Sequence, residues 1–329
     1  MNQGTRGPAP TMVPGEELRP SVLPTDRLLE SGKAIPALRA ELRKIPNVQN
    51  AVSVFMVWMW VAVIVGASTA IGTWWSVLLG FLLMGPMHAR FAILMHEAAH
   101  KLLFSKASIN DWVGKWLIAS PALVPISIYR RSHFAHHREE FGRDEPDIAF
   151  YVGYPTTRAA LRRRLIRDAI GISGWKNLTP LFRALKTPQG RTISGPILSV
   201  QVAMGVAAWL ATGAWWAYFA FWLLPWMTQW RVLNRLRAIA EHGGMQQSPD
   251  RRATTHDVRQ HLIARFWFVP YNTGWHLAHH VDMGIPFRNL PAYYRELERA
   301  GYVTEGLTYP SYLALWRAET SADVEPRLS

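Results

Sequence analysis

The sequence contains no cysteine, which excludes disulfides, thiolate metal sites, iron–sulfur clusters and cysteine nucleophiles from this chain. Any metal must take nitrogen or oxygen ligands. Acidic side chains are also scarce: 23 Asp and Glu stand against 36 Lys and Arg, a formal net charge of +13. Such a surplus suits nucleic acid or an anionic membrane surface as partner, and the placement of the charges decides between them. No Asp, Glu, Lys or Arg occurs between Lys44 and Arg90, or between Arg191 and Arg231. A soluble nucleic-acid binder has no use for such stretches, so a membrane and not nucleic acid is the expected partner. The N-terminus lacks the basic, apolar and small-residue succession of a cleavable signal peptide. Residues 1–45, polar and rich in proline, are expected to form a cytoplasmic, partly disordered lead-in to a membrane domain covering 46–329.

A bilayer core about 30 Å thick needs roughly 20 apolar helical residues. Each charge-free stretch holds two such spans: about 51–70 and 73–94, divided by a turn at Gly72, and about 193–212 and 214–230, divided at Gly213. The expected fold class is therefore all-α and polytopic, with four transmembrane helices in two hairpins and a cytoplasmic helical cap. Both dividing turns lack Lys and Arg, whereas the flanks carry Arg130-Arg131 and Arg162-Arg163-Arg164, so the positive-inside rule places the flanks in the cytoplasm. Trp74, Trp75, Trp215 and Trp216 stand where an aromatic belt at the far interface would put them. Residues 111–128 resemble a fifth span but are interrupted by Lys115, Pro121 and Pro125, and are expected to be interfacial or re-entrant. A full crossing there would separate His133 from His96 and His100.

Twelve histidines are present, and eight fall in three clusters: His96 and His100 in HEAAH, His133, His136 and His137 in HFAHH, and His276, His279 and His280 in HLAHH. At about 100° per helical residue, His96 and His100 lie about 40° apart on one face, and each HxxHH cluster fits within an arc of about 100°. HExxH alone is ambiguous, since a zinc protease uses the same two histidines with the intervening Glu97 as base. Eight imidazoles exceed what one tetrahedral zinc with an open position takes, and suit two ions sharing a ligand shell. His242, on the cap side of the fourth span, is a ninth candidate. Asn272 either orients a metal-bound water or caps the helix carrying the last cluster, with capping favoured. His88 lies about 12 Å deeper along its helix than His96 and is left out, as are His256 and His261, which are expected to be interfacial. Glu97, Glu241, Asp144, Asp147 and Asp282 are the nearby carboxylates available to orient imidazoles, Glu97 foremost.

HEAAH at 96–100, RRSHFAHH ending at His137, NTGWHLAHHVDMGIPFRNLP from Asn272 to Pro291, and DEPD at 144–147 together resemble the membrane fatty-acid desaturase family of bacteria. The resemblance covers roughly residues 50–300. It implies a non-haem di-iron enzyme in which His96, His100, His133, His136, His137, His276, His279 and His280 ligate two iron ions, with His242 as the additional histidine ahead of the third box. O2 is then the co-substrate and a fatty acyl lipid the substrate. No cytochrome b5-like module is recognisable, so an external donor such as ferredoxin is expected to supply electrons. Ala238 occupies a position where an Asn is expected, and the Glu241-His242 pair is similar to that of related alkane hydroxylases. A hydroxylase or ketolase acting on an alkane, sphingolipid or carotenoid is therefore the alternative within the superfamily. An intramembrane zinc protease and a metal carrier are the alternatives outside it. The expected location is the bacterial inner membrane, with the metal site and both termini cytoplasmic. An acyl tunnel is expected near Trp112, Trp116 and Trp267.

Overall fold

The structure is a computed structural model that describes residues 11–321. Its elements are α1 (Pro36–Leu42), α2 (Asn47–Ile71), α3 (Trp74–Ala99), α4 (Ala107–Val113), α5 (Ile126–Glu139), α6 (Ile148–Tyr151), α7 (Arg158–Ala169), α8 (Ile172–Ala184) and α9 (Pro188–Thr212). They continue with α10 (Leu224–Met227), α11 (Gln229–His242), α12 (Leu262–Trp267), α13 (His276–Val281), α14 (Leu290–Arg299) and α15 (Tyr312–Glu319). The only sheet among the described residues is a two-residue parallel clamp, Asp257–Val258 against Thr308–Tyr309. The protein is an all-α polytopic membrane protein, and three of its helical stretches, those ending at Ile71, Ala99 and Thr212, are long and apolar enough to cross a bilayer.

The first hairpin forms as its sequence dictates. Gly72 takes the left-handed conformation (φ 66°) that ends α2, and Thr73 then starts α3 with a reciprocal side-chain cap to Ser76. Pro188 begins α9 behind the Thr187 cap, and Gly213 ends it in the same way as Gly72 (φ 68°). Pro86 lies inside α3, and Gln229 donates its amide to the Phe81 carbonyl on the preceding turn at 2.8 Å.

The expected fourth span, 214–230, is not one regular helix. A π turn covers Phe219–Leu223, α10 lasts four residues, and the backbone breaks at Thr228 (φ −116°, ψ −80°) before α11 begins. Pro225 explains the π turn, because it has no N–H to give the preceding turn. His88 from α3 donates Nε2–H to the Trp222 carbonyl at 3.1 Å, which accounts for this histidine within the bundle.

Residues 111–128 do not form one continuous helix. After α4 the chain makes a π turn, Gly114–Ala119, and reverses through residues 120–124 with Leu123 at positive φ. Irregular backbone at membrane depth is tolerated only where its polar groups are satisfied by protein. Here Trp58 donates to the Leu117 carbonyl (2.9 Å), Gln201 to Ser120 (2.7 Å), Trp222 to Pro121 (3.0 Å) and Trp226 to Ala122 (2.8 Å). The helices thus hold the loop by its carbonyls.

Residues 11–45 of the lead-in are packed: Leu28 and Ala34 are in the core, Arg27 pairs with Glu296, and Arg39 forks onto the buried Asp282 at 2.6 and 3.0 Å. Their anchors lie more than 200 residues away, which hides them from a local reading. Residues 1–10, also assigned to the lead-in, lie outside the described residues.

Candidate metal centre

Four elements meet above the helix bundle: the end of α3, α5, the end of α11 and α13. They bring all nine candidate histidines together, each of them buried. His96, His100, His133, His137 and His279 form one nest, with candidate ligand nitrogens all within 4.8 Å of one another. His136, His242 and His280 form a second, joined by His276, whose Nε2 lies 3.2 Å from that of His242 and 3.0 Å from that of His280. The His137 and His280 rings, 4.4 Å apart between centroids, connect the two nests.

Nε2 to Nε2 separations in the first nest are 3.1 Å for His96 and His279, 2.9 Å for His100 and His133, and 3.0 Å for His137 and His279. A metal–imidazole bond is about 2.0–2.1 Å, so two nitrogens on one ion lie roughly 3 Å apart. Hydrogen bonding between rings does not explain the second nest, because its Nδ1 protons are committed elsewhere. His136 donates Nδ1–H to Glu145 (3.0 Å), His280 to Glu140, His242 to the Thr254 carbonyl (2.8 Å), and His276 faces Glu241 at 3.4 Å. The inward Nε2 atoms are then lone pairs facing lone pairs, an arrangement that a cation relieves.

Electrostatics agree with neutral imidazoles. Burial, followed by the neighbouring rings, pushes His133, His137, His276, His279 and His280 well below the ordinary histidine range. Burial and His136 do the same to His242. His136 itself moves upward: burial opposes its charge, but the hydrogen bond and charge of Glu145 outweigh it. The donor set, neutral nitrogen without sulfur, fits divalent first-row metals such as iron.

Several expected partners lie elsewhere. Glu97 accepts the Phe287 N–H (3.1 Å) and so holds the chain after the third cluster, not an imidazole. Asp144 is exposed, and Asp282 is committed to Arg39. Asp147 stands beside His136 and Glu145, and Glu241 faces His276 while accepting from Arg237 (2.7 Å). Asn272 does not cap α13: its backbone is left-handed (φ 66°) and its side-chain Oδ1 accepts from Arg265. His256, expected at the interface, is buried with Nε2 on the Gly243 carbonyl, whereas His261 is exposed. Sequence reasoning missed Glu140 and Glu145. The signal available was their position three residues after His137 and at the centre of DEPD.

The apolar cavities avoid the expected tryptophans. One of about 470 Å3 runs between α2 and α3 from Trp75 to Arg90 and Phe266. Another, of about 440 Å3, lies against α8, α9 and the π turn at 219–223. Trp112, Trp116 and Trp267 line neither.

A family profile described as fatty acid desaturase matches residues 72–312, nearly three quarters of the chain, and spans every one of the nine histidines. The chain belongs to the fatty acid desaturase family. This desaturase-family chain is an oxidoreductase whose clustered histidines are suited to metal. It is 24% identical over 231 residues to the dihydrorhizobitoxine desaturase of Bradyrhizobium elkanii, covering 65% of this chain and 66% of that protein, just under two thirds. It is 20% identical over 253 residues to the sn-1 oleoyl-lipid 12-desaturase of Anabaena variabilis, with 70% and 71% covered. An oleate hydroxylase of Claviceps purpurea is 31% identical over 113 residues, 34% of this chain and 23% of that protein.

Proposed function

We propose that this protein is an O2-dependent desaturase of fatty acyl chains, with His96, His100, His133, His137 and His279 holding one iron ion and His136, His242, His276 and His280 the other. The observation that carries this reading is the division of nine buried imidazoles into two adjoining nests at ligand spacing. Two irons held there would supply, with O2 and electrons, the oxidising power to remove hydrogen from an unactivated C–H bond. The chain's own residues prepare that chemistry. Glu140 and Glu145 accept the Nδ1–H hydrogen bonds of His280 and His136 and keep their Nε2 lone pairs directed inward, and Glu241 faces Nδ1 of His276. Burial excludes bulk water from the centre.

The groove along α2 and α3 supports an acyl substrate, because α3 runs on from Arg90 to His96, about 9 Å further. We place the centre and both termini on the cytoplasmic side of the bacterial inner membrane, with 46–329 as one membrane domain and an external carrier such as ferredoxin as donor. A zinc protease centred on HEAAH is disfavoured because Glu97 is engaged with Phe287 and three further imidazoles share the nest.

The test uses full-length protein in membranes, given ferrous iron, a ferredoxin-based reductant, O2 and a labelled acyl lipid. Mass spectrometry is expected to show loss of two hydrogens, with about two irons per chain by metal analysis. A main product that gains oxygen would replace the desaturase reading with the hydroxylase one, which the Claviceps purpurea match and the Glu241-His242 pair favour. One zinc and no iron in active protein would overturn both.

A further inference from the structure

Away from the histidines, positive charge is concentrated in a cavity of about 400 Å3 where α6, α7, α8 and α11 adjoin. Arg164, Arg167, Lys176, Arg231 and Arg235 line it, and Asp168 is the one carboxylate among its lining residues. That carboxylate is already engaged: Arg235 forks onto it, with Nη2 to Oδ1 at 3.2 Å, and the Ser173 hydroxyl donates to it. The other cations therefore share a space with no remaining acid to balance them. Two are fixed in place by aromatic faces. The Arg164 guanidinium lies over Tyr154 at 4.8 Å, and that of Arg231 over Trp226 at 4.0 Å with Nε–H on the Trp226 carbonyl at 3.0 Å.

Like charges held around one cavity repel, and an anion with several acceptor oxygens relieves them. Guanidinium groups in particular match phosphate geometry. The surroundings indicate the source of the phosphate. Phe150 and Val152, which line the cavity, are exposed, as are Ile166 on α7, Ile170 just after it and Trp175 on α8. Exposed apolar residues in this number beside a cationic pocket suit a membrane surface. On the other side of α8, Leu178 and Phe182 line the apolar groove of about 440 Å3 shared with α9.

We propose that this cavity binds the phosphate of an anionic phospholipid, with an acyl chain lying across α8 toward the groove at Leu178 and Phe182. The site is separate from the histidine centre and goes beyond the reaction proposed above. It rests on the membrane placement alone.

The experiment uses full-length protein in neutral detergent, titrated with phosphatidylglycerol or phosphatidylcholine and read by native mass spectrometry. No iron loading or turnover is needed, so its outcome is independent of the di-iron reading. Wild type is expected to prefer phosphatidylglycerol, and the R164Q/K176Q double variant to bind it about tenfold more weakly. R163Q/R183Q removes the same charge from exposed positions of the same two helices, outside the cavity, and is expected to stay within about twofold. Should the double variant fail to fold, Lys176→Gln alone, at an exposed lysine, carries the test with an expected loss of about threefold. Equal losses in both doubles, no loss in the pocket variants, or equal binding of phosphatidylcholine would overturn the proposal. Complete displacement of the lipid by inorganic phosphate would also overturn it, by making the pocket a site for free anions.

Discussion

Each imidazole in the second nest depends on what its outer nitrogen does. Glu145 and Glu140 accept the Nδ1 protons of His136 and His280, and both carboxylates are almost completely buried. Replacing either with glutamine keeps the size but removes the charge that favours the inward lone pair. Such partners are typically worth about 10–100-fold in metal affinity. Glu140→Gln and Glu145→Gln are therefore each expected to lower iron affinity by roughly tenfold or more, measured by competition with a chelator. Glu97→Gln is expected to change it by less, because Glu97 serves the Phe287 N–H. Unchanged affinity in both Glu140 and Glu145 variants would remove them from the site. The three clusters were legible because a helix of known pitch converts spacing into direction, whereas the lone His242 was named from its place past the fourth span and from the family resemblance. Glu140 was not, because its partner His280 is 140 residues away, and Glu97 misled because adjacency along a helix does not place a carboxylate on an imidazole.

Hydropathy finds apolar segments but does not register what their backbone does. It located α2, α3 and α9 to within a few residues, yet it made a single span of 214–230, where Pro225 and Thr228 divide the chain. The interruption of the apolar segment at 111–128 was legible from Lys115, Pro121 and Pro125. What holds it was not, because the donors come from three different helical segments. Trp226→Phe keeps an aromatic side chain but leaves the Ala122 carbonyl without its indole donor. An unsatisfied buried acceptor costs about 1–3 kcal/mol, and Trp58→Phe is expected to cost a similar amount at Leu117. Trp74→Phe, 79% exposed, is the comparison, with an expected change within about 0.5 kcal/mol. Thermal unfolding in one detergent ranks the three; a Trp74 variant as unstable as the Trp226 variant would refute the carbonyl-holding role.

At the scale of the molecule, residues 11–45 and the cap pack together, and Arg39 is the clearest link between them. Asp282, two residues beyond His280, is 2% exposed and has Arg39 as its cationic partner. Breaking a buried ion pair from one side costs about 3–5 kcal/mol, and the partial exposure of Arg39 argues for the lower end. Arg39→Ala is expected to lower stability by roughly 3 kcal/mol and to release iron more readily. Stability and iron retention equal to wild type would show that the contact contributes nothing to the cap.

Sidedness is the remaining whole-molecule requirement, because the nests close only if α5 returns to the side where α3 ends. The absence of cysteine makes every introduced thiol unique. Lys106 and Arg138 flank the segment 111–128 and α5, and both are exposed. Trp74 and Trp215, 79% and 71% exposed, mark the opposite turns. With an impermeant thiol reagent on sealed vesicles of known orientation, Lys106→Cys and Arg138→Cys are expected to react from one side, and Trp74→Cys and Trp215→Cys from the other. Reaction of Lys106→Cys and Arg138→Cys from opposite sides would mean that 111–128 crosses the membrane, which would carry His133, His136 and His137 away from His96 and His100 and leave neither nest able to form.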